Sequence, residues 1–547
     1  MRVTLCAINS KYIHSTLAVW YLRSAVADLC ECSVVEGTIN ESTDKIVERI
    51  GGSVPDILAI STYIWNKKYA LDVARKIKEK TNAKILLGGP EVSYNPEEML
   101  TKYPFVDYVI CGEGEEPFAK LCSGMPLDKI DGLCYKKGGE VVIKPPVVSK
   151  KAPPNPYTKE YLDTLNGRIA YLETSRGCPF RCAFCLSGRC GGVRFFDLAE
   201  AKKNIVLLAN SGTQTVKLVD RTFNADRKRA CHIWEFIIGK YGNEIPKDVC
   251  FHFEIDGTLV DSETVEVLKK APSGLFQLEI GLQSFNSLTL ESVNRRPDLE
   301  KLTKNIKQIV DLGNIHTHID LIIGLPHENL DSFKVSFDKA YRLKAHMLQI
   351  GFLKLLHGSD LRENKSFECE FSDTPPYEIE SNPWLSVKEL QQLHLFEDVF
   401  ERMYNSRRFG LTCEYLDTLF DSPYDMYKGF CDYVVENGNE KTLDGFTKQM
   451  LDYFSIFDFV DKGVLRDKMA MDRLATNRMG FLPEFLKVHS PKIKETLNLL
   501  EKGECTKRPD GVKRAATVLL TENKLAYVDY DQCDYVTNRF LVKFTEI

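Results

Sequence analysis

No stretch of this chain holds about 18 consecutive apolar residues, so no segment reads as a membrane-spanning helix. Neither sign of charge dominates. The 72 lysines and arginines nearly match the 77 aspartates and glutamates, for a formal net charge of −5, which removes any chain-wide nucleic-acid footprint. Internal repeats and low-complexity tracts are absent, so the chain is not a repeat array. A secretory signal is missing too: Met1 to Ile8 is short and apolar, is soon followed by Lys11, and reads as a first β-strand. Without such a signal, the 17 cysteines read as scattered thiols of a reducing cytosol and not as a disulfide framework. The expected location is cytoplasmic.

What is there has the composition of an ordinary globular protein, 44% hydrophobic and 27% charged. At 547 residues the chain is too long for one core and should hold about three domains. Residues 1–145 alternate short apolar runs (Val3–Ile8, Ser33–Ile39, Asp56–Tyr63, Ala83–Gly89, Asp107–Cys111) with helix-spaced segments such as His14–Leu29 and Tyr69–Lys80. That alternation predicts a parallel sheet covered on both faces, with ligands received beyond the carboxyl ends of its strands. A small hairpin turning at Gly138-Gly139 should follow. Residues 146–165 open in a proline- and lysine-rich linker. Over residues 166–370 six more strands are expected, at Arg168–Glu173, Val216–Asp220, Val249–Ile255, Phe276–Gln283, Thr317–Leu325 and Met347–Leu355. From about residue 371 to 547 the pattern turns mainly helical, broken by Pro375-Pro376 and Pro383.

The chemistry concentrates in Cys178, Cys182 and Cys185, spaced C-x3-C-x2-C on the loop after the strand at Ile169–Leu172. Thiolates select iron–sulfur clusters or zinc. Zinc in a structural site wants four ligands, and either Cys190 or His232 is available as the fourth. A cubane held by only three cysteines keeps one iron open. Further informative points sit at strand ends. In the first domain these are Asn9-Ser10-Lys11, Ser61-Thr62-Tyr63, Gly88-Gly89-Pro90-Glu91-Val92-Ser93 and Gly112-Glu113-Gly114-Glu115. Paired glycines let backbone approach a flat, bulky ligand, although they also serve ordinary turns. In the second domain they are Asp220, Glu254, Gln283-Ser284 and Gly324. Asp220 and Glu254 read either as ligand contacts or as structural carboxylates pairing with Arg221. Arg295-Arg296-Pro297 reads as a substrate grip or as a solvated helix end.

The cysteine run, with Phe184 before its last cysteine, resembles the signature of the radical S-adenosylmethionine (SAM) superfamily. The runs Gly281–Asn286 and Gly324–Glu328 resemble further segments of that barrel. The four strand-end segments upstream resemble the cobalamin-binding domain fused to such barrels. This resemblance implies an α/β architecture: an N-terminal Rossmann-like, flavodoxin-like cobalamin-binding domain, a partial (β/α)6 radical SAM barrel, and a mainly helical C-terminal domain of unknown function. It implies three cofactors, a [4Fe-4S] cluster on Cys178, Cys182 and Cys185, SAM, and cobalamin. SAM contacts fall on Phe184, Asp220, Glu254, Gln283, Ser284 and Gly324. Cobalamin contacts fall on Asn9, Ser10, Lys11, Ser61, Thr62, Tyr63, Gly88, Gly89, Pro90, Glu91, Ser93, Glu113, Gly114 and Glu115. The wider corrinoid family carries Asp-x-His-x-x-Gly in the first loop. Here Asn9, Lys11 and His14 stand at those positions, so the cobalt-ligating histidine is missing.

The resemblance further implies a radical enzyme supplied with electrons by a flavodoxin or ferredoxin. The leading expectation is methylation of an unactivated carbon, or phosphorus, through a 5′-deoxyadenosyl radical and methylcobalamin. A cobalamin-dependent redox, cyclisation or rearrangement reaction is the alternative, and a corrinoid- or redox-sensing binding protein is a third reading. Small molecule, lipid, peptide and modified nucleoside all remain open as substrates. In the C-terminal region Tyr377, Trp384, Tyr404 and Tyr415 suggest stacking on a planar substrate or, as readily, aromatic packing. Residues 487–514 are locally basic around Lys507-Arg508 and Lys513-Arg514.

Overall fold

The computed structural model describes residues 1–52, 54–476, 482–491, 493, 495, 516–522 and 524–546. Five parallel strands, β1 (Arg2–Asn9), β2 (Glu31–Thr38), β3 (Ile57–Ser61), β4 (Lys84–Gly88) and β5 (Tyr108–Ile110), lie in the order β2-β1-β3-β4-β5. The hairpin β6 (Leu133–Lys137) and β7 (Glu140–Val142) extends this sheet antiparallel at the far edge, turning at the glycine pair. Alternate residues face opposite ways along a strand, and β1 divides accordingly. Val3, Leu5 and Ala7 enter a core continuous with the rest of the chain, while Cys6 and Ile8 enter a second core under the helices Thr43–Gly51 and Lys67–Lys80. The order reverses between β1 and β3, where open sheets of this kind receive ligands.

The second sheet is all parallel. Its strands are β8 (Ile169–Leu172), β11 (Thr215–Leu218), β12 (Cys250–Ile255), β13 (Phe276–Gln283), β14 (His316–Ile323) and β15 (Met347–Phe352), side by side in chain order. Between β8 and β11, the short strands β9 (Ser175–Arg176) and β10 (Arg194–Phe195) pair antiparallel and pinch the cysteine loop at its base. Six strands do not close a barrel, so two edges need cover. At β8 the loop after β1 supplies it: Ile169 N–H donates to Ile13 O at 2.8 Å, and His14 bridges to Ile169. At β15 the Asn405 side chain imitates a strand. It accepts from Leu348 N–H at 3.0 Å and donates to Leu348 O at 2.9 Å.

The linker stretch is pinned to the first sheet, since Val147 N–H donates to Cys111 O at 3.0 Å and Val147 O accepts from Glu113 N–H at 2.9 Å. Beyond the barrel come the helices Val387–Phe400, Gly410–Asp417, Pro423–Asn437, Leu443–Phe454 and Lys462–Thr476. They form the expected helical region. An antiparallel sheet of Ala516–Val518, Lys524–Asp534 and Arg539–Glu546 was not foreseen. Its last strand is only partly buried along its length, so it lacks the clean alternation that announces a strand. Tyr377 and Tyr404 are buried, and these two and Trp384 pack against other rings, while Tyr415 packs against the core with its hydroxyl accepting from Asp461 N–H. The basic pairs Lys507-Arg508 and Lys513-Arg514 lie outside the described residues. Among the described residues no helix is long and apolar enough to cross a membrane.

Candidate functional site

The cysteine loop is built on glycine. Gly177 has φ +92°, and a Cβ there would stand 2.0 Å from Gly192 O, so the two arms of the loop close only because no side chain intervenes. Cys178, Cys182 and Cys185 are partly exposed free thiols. Each sulfur has a polar neighbour. Thr222 Oγ1 lies 3.2 Å from Cys178, Arg295 Nη1 donates to Cys182 at 3.6 Å, and Ser187 N–H meets Cys185 at 3.4 Å. The last two donate to sulfur, and such hydrogen bonds stabilise thiolate charge and tune a cluster's potential, whereas the Thr222 hydroxyl donates to Arg221 O. Arg295 also donates to Gly281 O at 2.9 Å, tying the loop to the end of β13. Arg296, by contrast, is exposed and pairs with Glu291. Of the arginine pair, only the first belongs to this site.

The carboxylates singled out by motif mostly turn out to hold loops. Asp220 is buried, accepting from Thr174 N–H at 2.9 Å, Thr174 Oγ1 at 2.7 Å and Ser175 Oγ at 2.5 Å. Burial pushes its carboxyl up to about 6 despite those hydrogen bonds. It thereby clamps the chain just ahead of the first cysteine. Glu113 and Glu115 reach across to Arg176 at 3.3 and 2.6 Å, with Glu173 at 2.9 Å on the same guanidinium. Arg194 also pairs with Glu113. Glu91 is buried against Lys67 Nζ at 2.8 Å and accepts from the Tyr377 hydroxyl, so the Gly88–Ser93 turn is tied to the segment beyond the barrel.

Around that turn the first sheet presents small, neutral groups. Gly89 has φ +108°, and a Cβ there would stand 2.5 Å from Thr62 O, whereas one on Gly88 would meet open space. Ser61 is buried with its Oγ unpartnered, and Thr62 is buried beside it. Tyr63 stacks on Trp65 at 4.5 Å between ring centroids. Ser93 Oγ donates to Gly89 O at 2.8 Å, and Pro90 opens the short helix at this point. Asn9 is buried on Glu36 at 2.9 Å and also accepts from Thr16, while Ser10 is partly exposed and Lys11 exposed. His14 is engaged by Tyr171, Nδ1 to Oη at 2.8 Å. Burial and nearby Lys11, Lys217 and Arg168 lower its pKa, so the ring is neutral near pH 7.

In the barrel, Glu254 faces Lys217 Nζ and Arg221 Nη1, each at 3.6 Å. Gln283 sits at φ +73°, buried, with Oε1 unpartnered. Ser284 donates to Glu328 at 2.6 Å, and burial lifts the Glu328 carboxyl to about 7. Gly324 has φ +92°, and a Cβ there would crowd Ile379 at 2.7 Å. Phe184 is partly buried against the core. Lys217, His252, Glu279, His318 and Asp320 form a polar lumen that motif reading passed over. The available signal was charge at every second position, His252 and Glu254 or His318 and Asp320, inside otherwise apolar strands.

A corrinoid-type sheet joined to a half-barrel with a three-cysteine loop defines the class, that of B12-binding radical SAM proteins. Residues 3–122 match the B12 binding domain, residues 172–340 the radical SAM superfamily and residues 365–523 a protein family of unknown function, DUF4080. The chain carries all three domains, and so is a radical SAM protein with a B12-binding domain in front and a DUF4080 domain behind. It is 28% identical over 336 residues to the cobalamin-dependent radical SAM methyltransferase TokK of Streptomyces tokunonensis, covering 57% of this chain and 47% of that one. The chain thus spans about half the length of that relative. It is 23% identical over 487 residues to an anaerobic magnesium-protoporphyrin IX monomethyl ester cyclase of Rubrivivax gelatinosus, covering 83% and 84%. The fold is similar to that of the cobalamin-dependent SAM radical enzyme OxsB, solved with aqua-cobalamin and SAM, with a TM-score of 0.62, 16% identity, and 93% and 82% of the two chains covered.

Proposed function

We propose that this chain is a cobalamin-dependent radical SAM enzyme that methylates an unactivated carbon, or phosphorus, centre. The observation that carries the reading is a juxtaposition. Arg176, next to the cysteine loop, is bonded to Glu113 and Glu115 at the ligand-receiving rim of the first sheet, which brings the cysteine loop beside that rim. When bound, the iron–sulfur cluster and SAM supply a carbon-centred radical, and the corrinoid supplies a transferable methyl group. The residues present suit these groups. Cys178, Cys182 and Cys185 would hold the cluster, with Arg295 and the Ser187 N–H stabilising sulfur charge. The unpartnered Gln283 Oε1 and the carboxylate of Glu254 are acceptors for the cosubstrate's hydroxyl and ammonium donors. The open face at Gly88 and the lone Ser61 Oγ would receive the flat corrin, near the mutually stacked Tyr63 and Trp65. His14, the histidine of the first loop, has its Nδ1 bonded to Tyr171 on the edge strand of the barrel, which fixes the ring on that side.

The second reading, a cyclisation or oxidation without methyl transfer, draws on the coverage shared with the cyclase. Incubation of the reduced holoenzyme with methyl-labelled SAM separates the two. Label in the product together with S-adenosylhomocysteine supports methylation, and 5′-deoxyadenosine with unlabelled product rejects it.

A further inference from the structure

The first segment of the C-terminal domain touches turns on both sides of the molecule. Residues 377–384 fall inside the stretch that matches DUF4080. They run antiparallel beside the chain leaving β15, since Leu355 N–H donates to Tyr377 O at 2.9 Å and Ile379 N–H donates to Leu353 O at 3.0 Å. On the barrel side, Ile379 fills the space beside Gly324, where an added Cβ would stand 2.7 Å from its side chain. Asn382 Nδ2 donates to Gly324 O at 3.0 Å, and Trp384 meets His327 at 4.4 Å between ring centroids. At its other end stands Tyr377, 1% exposed, with His357 edge-on to its ring at 5.0 Å and the Arg362 guanidinium over it at 4.8 Å.

The Tyr377 hydroxyl reaches into the first sheet. A buried ion pair is costly unless further hydrogen bonds satisfy its atoms. Lys67 and Glu91 form such a pair, 2.8 Å apart with side chains 10% and 4% exposed. A phenol donates and accepts at once, and this one accepts from Lys67 Nζ at 2.8 Å while donating to Glu91. Burial and the neighbouring carboxylate push it above its ordinary pKa, so it keeps the proton it donates. The two partners belong to different rim elements. Glu91 lies on the turn after β4, and Lys67 opens the helix after β3, where the Asn66 side chain donates to Ile8 O and Ser61 O, each at 3.0 Å. One hydroxyl therefore joins two rim elements of the first sheet to a segment anchored on the barrel.

We propose that Tyr377 is a positioning residue for the corrinoid: acting through Glu91 and Lys67, its hydroxyl fixes the turn Gly88–Ser93, and the segment 377–384 sets that turn against the strand ends around Gly324. The opening of the DUF4080 domain thereby gains a task, holding the two cofactor rims in register. This inference rests on the reading of Gly88–Ser93 as the corrinoid-receiving turn and is independent of the reaction that follows.

The test is equilibrium dialysis of the full-length, cluster-reconstituted protein against hydroxocobalamin without oxygen. Tyr377→Phe keeps the ring and removes only the hydroxyl. Its cobalamin affinity should fall by about tenfold, the scale of a hydrogen bond to a charged group, with iron content and SAM affinity unchanged. A merely structural role would not depend on Glu91, so Glu91→Gln is measured alone and combined with Tyr377→Phe. The double variant should bind no more weakly than Glu91→Gln alone. Losses that add, or an unchanged affinity in Tyr377→Phe, overturn the proposal. Hydrogen exchange of the wild-type chain is a second readout that no variant's misfolding can confuse. Added hydroxocobalamin should slow exchange in residues 377–384 as well as in 88–93, and slowing confined to 88–93 also overturns it. A wild-type chain that takes up no cobalamin would instead reject the corrinoid reading of the turn, and this proposal with it.

Discussion

The two rims that face each other in this molecule are made differently. The rim of the first sheet is small and neutral around Gly88, Gly89 and Ser61, and its carboxylates, Glu91, Glu113 and Glu115, are committed to protein partners, while Lys11 beyond β1 is exposed. The barrel side is crowded with charge, from the thiols and Arg295 at its rim to Glu254, Glu279, His318 and Asp320 in its lumen. The first rim selects a ligand by shape, for a broad and nearly neutral plane. The second selects by electrostatics, for charged, chelating or hydrogen-bonding groups. A residue that looks conspicuous in sequence therefore means different things on the two sides.

The largest effect should come from the barrel side. Cys182→Ala removes one of the three thiols of the C-x3-C-x2-C loop, and reductive cleavage of SAM should fall to background. Iron content after anaerobic reconstitution and 5′-deoxyadenosine by chromatography check this; turnover comparable to wild type would discard the triad as the cluster site. On the neutral rim the matching change is Gly89→Ala. Its backbone, φ +108° and ψ 173°, lies in a region reserved for glycine, where a side chain costs about 1–3 kcal/mol. The added Cβ would also press on Thr62 O at 2.5 Å. Weaker retention of cobalamin on gel filtration is expected, with iron content unchanged. Parallel loss of both would mean that the rims are not independent.

How legible this division was in the sequence depended on what each residue's neighbours in space contribute. The cysteine spacing is local, and so are the glycine pairs and the strand alternation of both sheets. The partners of Asp220, Glu91, Glu113 and Glu115 are not. Arg176 lies 63 residues beyond Glu113, and Tyr377 lies 286 beyond Glu91, so pattern alone marks these carboxylates without saying what they hold. Arg295 carried the opposite ambiguity, and only its position over Cys182 resolves it. The lumen was passed over because its members are scattered over four strands, one or two to a strand, inside otherwise apolar runs.

A smaller, pH-dependent difference belongs to the barrel. The folded Glu328 carboxyl keeps its proton up to about 7, whereas an unfolded one releases it near 4.5. Between those values the folded state binds more protons, so this group's contribution to stability falls as pH rises and levels off above about 7. The full loss is bounded at about 3 kcal/mol. Glu328→Gln keeps an acceptor for Ser284 and removes the charge. Its melting temperature should exceed that of wild type at pH 8 and approach it at pH 5. An equal offset at both pH values would assign the effect to packing.

The smallest effect, and the sharpest for the comparison, is expected of His14→Phe. His14 leaves the neutral rim to bond Tyr171 on the edge strand of the barrel, through Nδ1 at 2.8 Å. Losing one partly buried hydrogen bond costs about 1 kcal/mol, and the phenyl ring keeps the packing against Tyr171. If the first rim recognises its ligand by shape alone, the visible spectrum of bound cobalamin should be the same in the variant as in wild type, with only the melting temperature slightly lowered. A shifted cobalt spectrum would make His14 a ligand after all. Nε2 would then be the ligating atom while Nδ1 stays on Tyr171, and the two rims would be coupled through a single imidazole.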